Sequence, residues 1–373
     1  MSDVMRRAMR WEVGLCLLIV LVAAGSSLFS SDFLTPFNLQ TMALSATVLG
    51  FLALGVAPVI MAGDIDISVA SMLALCGVVM AVLWQHGMTI WVAAALAVGL
   101  GAVLGLVNGL LTVLLELPSL AITLGTQGTY TGIAFLILQG KAVTSFPDAL
   151  VNLGQGGIGG SAVPIASVAL LLFAAALTFL MHGTTFGKAV FAIGGNRQAA
   201  RHSGIAVTRT RILLFAMAGT SSAVAAIFYL GNFNTARADM AFDQVLPAVT
   251  VAILGGVSAY GGTGTIPGVV LALVLLSVLE AGLGVAGLSG QQQAISVGLL
   301  LVVAIGGGHV IRAAQGRTRP LTCEARRRMA PLAGWPWQQR TRPLEPKEEA
   351  PLSTEGRSEP QAPSIAARQE STK

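Results

Sequence analysis

Long apolar runs, separated by short polar or proline- and glycine-marked intervals, fill the chain from residue 13 to residue 311. Most runs are close to the roughly 20 residues that an α-helix needs to cross the hydrocarbon core of a bilayer. The pattern predicts ten spans, near 13–29, 41–62, 67–84, 90–115, 119–138, 163–181, 212–231, 246–260, 265–287 and 293–311. Breaks fall at Pro36, Gly63–Asp66, Pro118, Pro147, Pro247 and Gly261–Gly264. The span at 246–260 has the alternative of a re-entrant segment. Ten-residue stretches of alternating apolar and polar positions, the pattern of an outer-membrane barrel, are absent. The fold class is all-α, a polytopic membrane helical bundle of about ten transmembrane helices.

The longest polar interval between spans that is also basic runs from Gly183 to Arg211 and carries Lys188, Arg197, Arg201, Arg209 and Arg211 without an acidic residue. Between two apolar runs it reads as a water-facing loop, and its cations place it in the cytoplasm by the positive-inside rule. Parity agrees: six crossings from a cytoplasmic N-terminus reach residue 182, and ten reach Arg312, where the chain is basic again. Both termini are thus expected in the cytoplasm. Residues 1–12, with Arg6, Arg7 and Arg10, form an N-terminal arm. An uncleaved first helix is preferred to a signal peptide after it. Residues 13–311 form the transmembrane domain, and 312–373 a disordered tail of Arg, Pro, Glu, Ser and Gln. Trp335 and Trp337 beside Arg326–Arg328 could rest on the membrane surface, although a plain floppy tail is preferred.

Composition sharpens the class. Hydrophobic residues make up 54% of the chain and charged residues 10%, against about 25% charged in a soluble domain. Of the 22 Lys and Arg, 12 lie from Arg312 onward, so the net charge of +5 reports topology and not nucleic-acid binding. Cys16, Cys76 and Cys323 are scattered and imply neither disulfides nor a metal. Gly183–Ala189 is one residue short of a P-loop and has Ala189 where a magnesium-binding hydroxyl belongs. The GxGxxG matches at Gly154 and Gly282 lack the strand–turn–helix context. The four histidines form no catalytic or metal pair, so neither an enzyme nor a nucleotide site is expected.

Polar groups inside apolar runs are the remaining candidates. Gly101, Gly105 and Gly109 repeat at four-residue spacing, which lets another backbone approach closely. Asn108 beside them suits either a helix–helix hydrogen bond or the lining of a polar pathway. Thr123, Thr126 and Gln127 in the next span add neutral donors and acceptors, which suit a neutral, hydroxyl-rich solute. Asp64, Asp66 and Ser68 form a helix junction where Asp66 with Ser68 is read as a cap of the following helix, in preference to a substrate or proton role. Glu280 is the one carboxylate well inside an apolar run, thin support for proton coupling.

Four segments, spread over about residues 36 to 311, resemble a known family. GDIDISVASMLALCG, from Gly63, is similar to a GGIDLSVGS segment, with Asp64 in place of the usual second glycine. Asn108–Thr126 resembles an NGLL…TLG run. TTFGKAVFAIGGNRQAARHSGI is similar to a cytoplasmic AIGGN-x-x-AA-x-x-SGI loop, and AVTVAILGGVSAYGGTGTIPG to a glycine-rich stretch. Together they resemble the permease subunits of bacterial ABC importers for monosaccharides, the ribose/xylose/arabinose branch that includes rhamnose and autoinducer-2 importers. Departures are Gln198 where Glu is common, Gly264 after Thr263 where Arg is frequent, and FDQV in the outer loop.

The resemblance implies a multi-pass inner-membrane permease, not an enzyme. Its partners would be a second permease subunit, a cytoplasmic ATPase that binds the ATP and magnesium, and a periplasmic sugar-binding protein. Gly194, Gly195, Asn196, Ala199, Ala200, Arg201 and Gly204 would belong to an ATPase-coupling helix spanning Asn196–Gly204. Asn108, Thr123, Thr126 and Gln127 would lie on the substrate pathway. The alternatives are an ion-coupled secondary transporter of a small neutral solute, whose candidates are Asp64, Asp66 and Glu280, and a structural membrane protein without transport.

Overall fold

The computed structural model describes residues 3–160, 163–296 and 298–299. Among the described residues, the helices up to residue 285 are α1 (Asp3–Phe29), α2 (Pro36–Met61), α3 (Val69–Gln85), α4 (Ile90–Leu114), α5 (Ser119–Leu138), α6 (Asp148–Gln155), α7 (Ile165–Thr178), α8 (Thr185–Gly195), α9 (Arg197–His202), α10 (Val207–Phe233), α11 (Val245–Leu254) and α12 (Ile266–Val285). A two-residue strand β1 (Val143–Thr144) pairs antiparallel with β2 (Thr235–Ala236). Among the described residues, seven helices are long and apolar enough to cross a membrane: α1 from Trp11, α2, α4, α5, α7 extended to Gly183, α10 and α12. The expected spans at 67–84 and 246–260 appear as the shorter helices α3 and α11. The expected span at 293–311 and the tail at 312–373 lie largely or wholly outside the described residues.

At the centre stands α2. Every residue from Thr47 to Met61 is buried, as expected for a helix apolar on all sides. It packs against α10, α12, α11 and α7, while α10 also lies along α4. The α4–α10 contact is made by small residues. A Cβ on Gly101 would collide with Gly219 O, and one on Gly105 with Phe215 O. Dispersion between closely approaching backbones is what the four-residue glycine spacing provides where lipid offers no hydrophobic drive.

Two expectations are corrected. The basic interval Gly183–Arg211 is more than an open loop: besides α9, which falls within the helix expected over Asn196–Gly204, it contains α8, and α10 begins at Val207 instead of residue 212. Thr184 caps α8 by accepting from Gly187 N at 3.4 Å, and Asn196 caps α9 by accepting from Ala199 N at 3.0 Å. The stretch between α5 and α7 holds β1 and α6. Glycines let α6 lie against the end of α10, since a Cβ on Gly154 would strike Gly231.

With 10 residues, α11 is about 15 Å long, half of a hydrocarbon core of about 30 Å. Irregular backbone inside a bundle needs partners for its polar groups, and they come from distant helices. Trp11 Nε1 donates to Leu254 O, at the α11 C-terminus, at 2.9 Å. Thr265 donates to Glu12 Oε1 at 2.8 Å while its hydroxyl caps α12 by accepting from Gly268 N at 3.1 Å.

Candidate functional site

Three glycine-bearing segments meet at the end of the bundle that carries α8 and α9. They are the α2–α3 link (62–68), the α8–α9 junction, where the last residues of α8 (Gly194 and Gly195) lead into the non-helical Asn196, and the α11–α12 link (255–265). Gly262 N donates to Met61 O at 2.8 Å. A Cβ on Gly194 would collide with Met61 O and Gly262 N, and one on Gly261 would stand 2.8 Å from Gly63 N. Gly63, Gly261 and Gly262 adopt φ of +79°, +83° and +81°, the left-handed region that glycine enters without a Cβ penalty. Three of the four segments that carry the family resemblance therefore touch at one point.

Asp64 sits at this point, its side chain only 4% exposed, between two arginines. Arg197, the first residue of α9, donates to Asp64 Oδ1 at 2.8 Å and to Gly63 O at 3.0 Å. Arg211, near the start of α10, donates through Nε to Oδ2 at 2.7 Å and through Nη2 to Oδ1 at 2.9 Å. The bidentate pair with Arg211 is the stronger kind of contact. One carboxylate thus ties the α2–α3 link to both α9 and α10.

Asp66, two residues on, faces inward and is fully buried. Its Oδ1 accepts from Ser68 N at 2.9 Å and from Ser68 Oγ at 2.6 Å. These bonds form a turn just ahead of α3, whose N-cap residue is Ser68; Asp66 fixes that residue rather than the first-turn amides of α3. Ser68 Oγ in turn accepts from Asn108 Nδ2 at 2.7 Å, and Tyr130 donates to Asn108 Oδ1 at 2.9 Å. A continuous polar chain therefore joins the link to α4 and α5. Asn108 is fully buried with both ends of its amide used, the helix–helix hydrogen bond of its two sequence readings.

The other expected pathway residues divide. Thr123 is buried and accepts from Ile67 N at 3.4 Å, and Ser119 accepts from Ile65 N at 3.0 Å, so both support the backbone of the link. Thr126 and Gln127 are half-buried on α5. Sequence reasoning missed Gly128 and Gly132 of that helix: a Cβ on either, or on Gly125, would meet nothing within 4 Å. Their three- and four-residue spacing is the signal already read in α4, here on a face that no described residue covers.

Of the expected coupling residues, Gly194 is locked in the glycine contact, Asn196 caps α9, and Ala200 is buried beneath it. Ala199, Arg201 and Gly204 are exposed, and Gly204 (φ +78°) ends the helix with its N donating to Arg201 O at 3.1 Å. Gly195 is exposed as well. Among the described residues, no group of three or more His, Cys, Asp or Glu gathers.

Residues 38–305 match the family model described as branched-chain amino acid transport system, permease component. The chain belongs to this permease family. The autoinducer 2 import system permease protein LsrD of Yersinia enterocolitica is 35% identical over 305 residues, 79% of this permease and 91% of the relative. Its counterpart in Salmonella paratyphi B is 34% identical over 308 residues, 80% and 92% of the two chains. That of Yersinia pseudotuberculosis is 35% identical over 303 residues, 79% and 90%. No solved structure matches. The permease is a multi-pass helical membrane protein of the ABC-importer type, and the resemblance drawn from the four segments is borne out.

Proposed function

We propose that this permease forms the transmembrane path of an ATP-driven importer for a monosaccharide or sugar-like solute, with an autoinducer-2-like molecule the first candidate. The names of the relatives supply the solute class. The observation that carries the mechanism is the anchoring of α9: Arg197 is bound to Asp64 and Gly63, so force applied to α9 reaches the α2–α3 link directly. In this reading a separate cytoplasmic ATPase, which binds the ATP and magnesium, docks on the exposed Ala199 and Gly204, beside Arg201. Gly194, Gly195, Asn196 and Ala200 give α9 its seat and shape. ATP-driven approach of two ATPase subunits moves α9 and then the link. The chain Asp66–Ser68–Asn108–Tyr130 carries that displacement to α4 and α5. Such a switch requires that ATP favour one of the two states.

The open face of α5, with Gly125, Gly128, Gly132, Thr126 and Gln127, lines the path or meets the second permease subunit there. A periplasmic binding protein delivers solute at the end that carries α6 and the β1–β2 pair, and the basic end with α8 and α9 is cytoplasmic. Specificity resides largely in the binding protein, because the path offers neutral groups. Ion coupling has weaker support: Asp64 is consumed by two arginines, which leaves Asp66 and Glu280 without a cationic partner in these contacts.

The test is uptake by the reconstituted permease, ATPase and binding protein in liposomes, with autoinducer-2, ribose and rhamnose as labelled solutes. The expected result is uptake of at least one that needs both ATP inside and the binding protein. Uptake driven by a proton or sodium gradient without ATP would contradict the proposal.

A further inference from the structure

A cavity of about 190 Å³ opens between the end of α4, α9 and the start of α10, lined among others by Thr112, Glu116, Leu117, Arg197, Arg201 and Arg211. Three guanidinium groups converge on it. Asp64 is bound to two of them and Glu116 is a further acid on the wall, so three cations face two carboxylates and the cavity stays net positive. Thr112 is fully buried, and its Oγ1 has no hydrogen-bond partner among the described residues. A buried hydroxyl without a partner is destabilising, so an acceptor supplied from outside the chain would relieve it.

The surroundings identify the source of that acceptor. Leu110, Val113 and Leu114 share one face of α4 by their three- and four-residue spacing, and Leu117 follows at the cavity wall. Leu110, Leu114 and Leu117 are 40%, 67% and 46% exposed. An apolar stripe thus runs along the outside of a membrane helix and ends at a cationic pocket. A protein carboxylate would match the charge but gives no reason for the stripe.

We infer that this cavity takes the phosphate group of an anionic phospholipid, with an acyl chain lying along Leu110, Val113 and Leu114. Arg201 and Arg211 donate to the phosphate oxygens, and Thr112 Oγ1 donates from the cavity wall. Basic pockets between membrane helices are suited to such headgroups. The site lies beside α9, so an occupied cavity braces Arg197 and Arg211 against Asp64. The inference rests on the cavity and on the chain's membrane character, and is independent of which solute is imported.

The experiment is native mass spectrometry of the purified full-length permease after exchange into dioleoylphosphatidylglycerol or dioleoylphosphatidylcholine. The variants are Arg201→Ala and Thr112→Val, the second nearly isosteric. Wild type should retain phosphatidylglycerol in preference to phosphatidylcholine, and each variant should weaken that retention roughly tenfold, as expected for loss of one hydrogen bond to a charged group. Millimolar inorganic phosphate should not displace the lipid. Equal retention of the two lipids, or variants that bind like wild type, would overturn the inference. Displacement by inorganic phosphate would reassign the cavity to a free anion, and displacement by the added ATPase would reassign the arginines to an acidic partner surface.

Discussion

Asp64 shows how one side chain can tie a link to two helices at once. Its side chain is 4% exposed, as against 11% for Arg211 and 42% for Arg197. The two pairs therefore differ in worth. Removing the charge from a buried pair strands its partner, at a cost of about 3–5 kcal/mol, whereas an exposed pair contributes about 1 kcal/mol or less. Asp64→Asn should lower the thermal midpoint of the purified permease clearly, by an amount at the low end of the buried range because Arg211 keeps some solvent. Arg197→Ala should lower it much less; equal effects would show that Arg211 gains nothing from burial beside Asp64. None of this was legible locally. Sequence gave reason to expect Asp64 at a helix junction, but its partners lie 133 and 147 residues away, and only the fold brings them into range. Asn108 was legible as a buried polar group in an apolar helix, yet its link to Ser68 and Tyr130 was not.

Among the elements, the helices with strong hydrophobic runs were the most legible, because twenty apolar residues have few alternatives to spanning a bilayer. The α4–α10 contact followed from glycine spacing in α4, and it can be tested against α5, where the spacing is similar but the space beyond it is open. Gly105→Val drives side-chain atoms into the backbone of α10 and should cost about 1–3 kcal/mol from overpacking. It should reduce the yield of monodisperse permease in gel filtration. Gly128→Ala has nothing to strike and gains about 1 kcal/mol in helix propensity, so it should purify as well as wild type. Loss of both proteins would mean that α5 packs as tightly as α4. The basic interval was less legible: its charge revealed an end of the bundle, but charge alone cannot distinguish an exposed loop from α8 and α9. Those helices depend on the caps Thr184 and Asn196 and on Gly194, which fits where no side chain can.

For the whole molecule, the proposed coupling has α9 receive the work of an ATPase and pass it to the α2–α3 link. Four family-like segments spread over the chain were visible in sequence, but not that three of them meet at Asp64 and the glycines around it. The most direct measurement is binding-protein-stimulated ATP hydrolysis by the reconstituted importer, comparing wild type with Ala199→Arg. Ala199 is exposed on α9, so an added arginine leaves the permease fold alone, unlike a side chain at Gly204, where φ is +78°. The account predicts a permease with the wild-type thermal midpoint whose stimulated hydrolysis is lost. Stimulation at the wild-type level would contradict it, because a docking surface cannot accept that bulk at its centre.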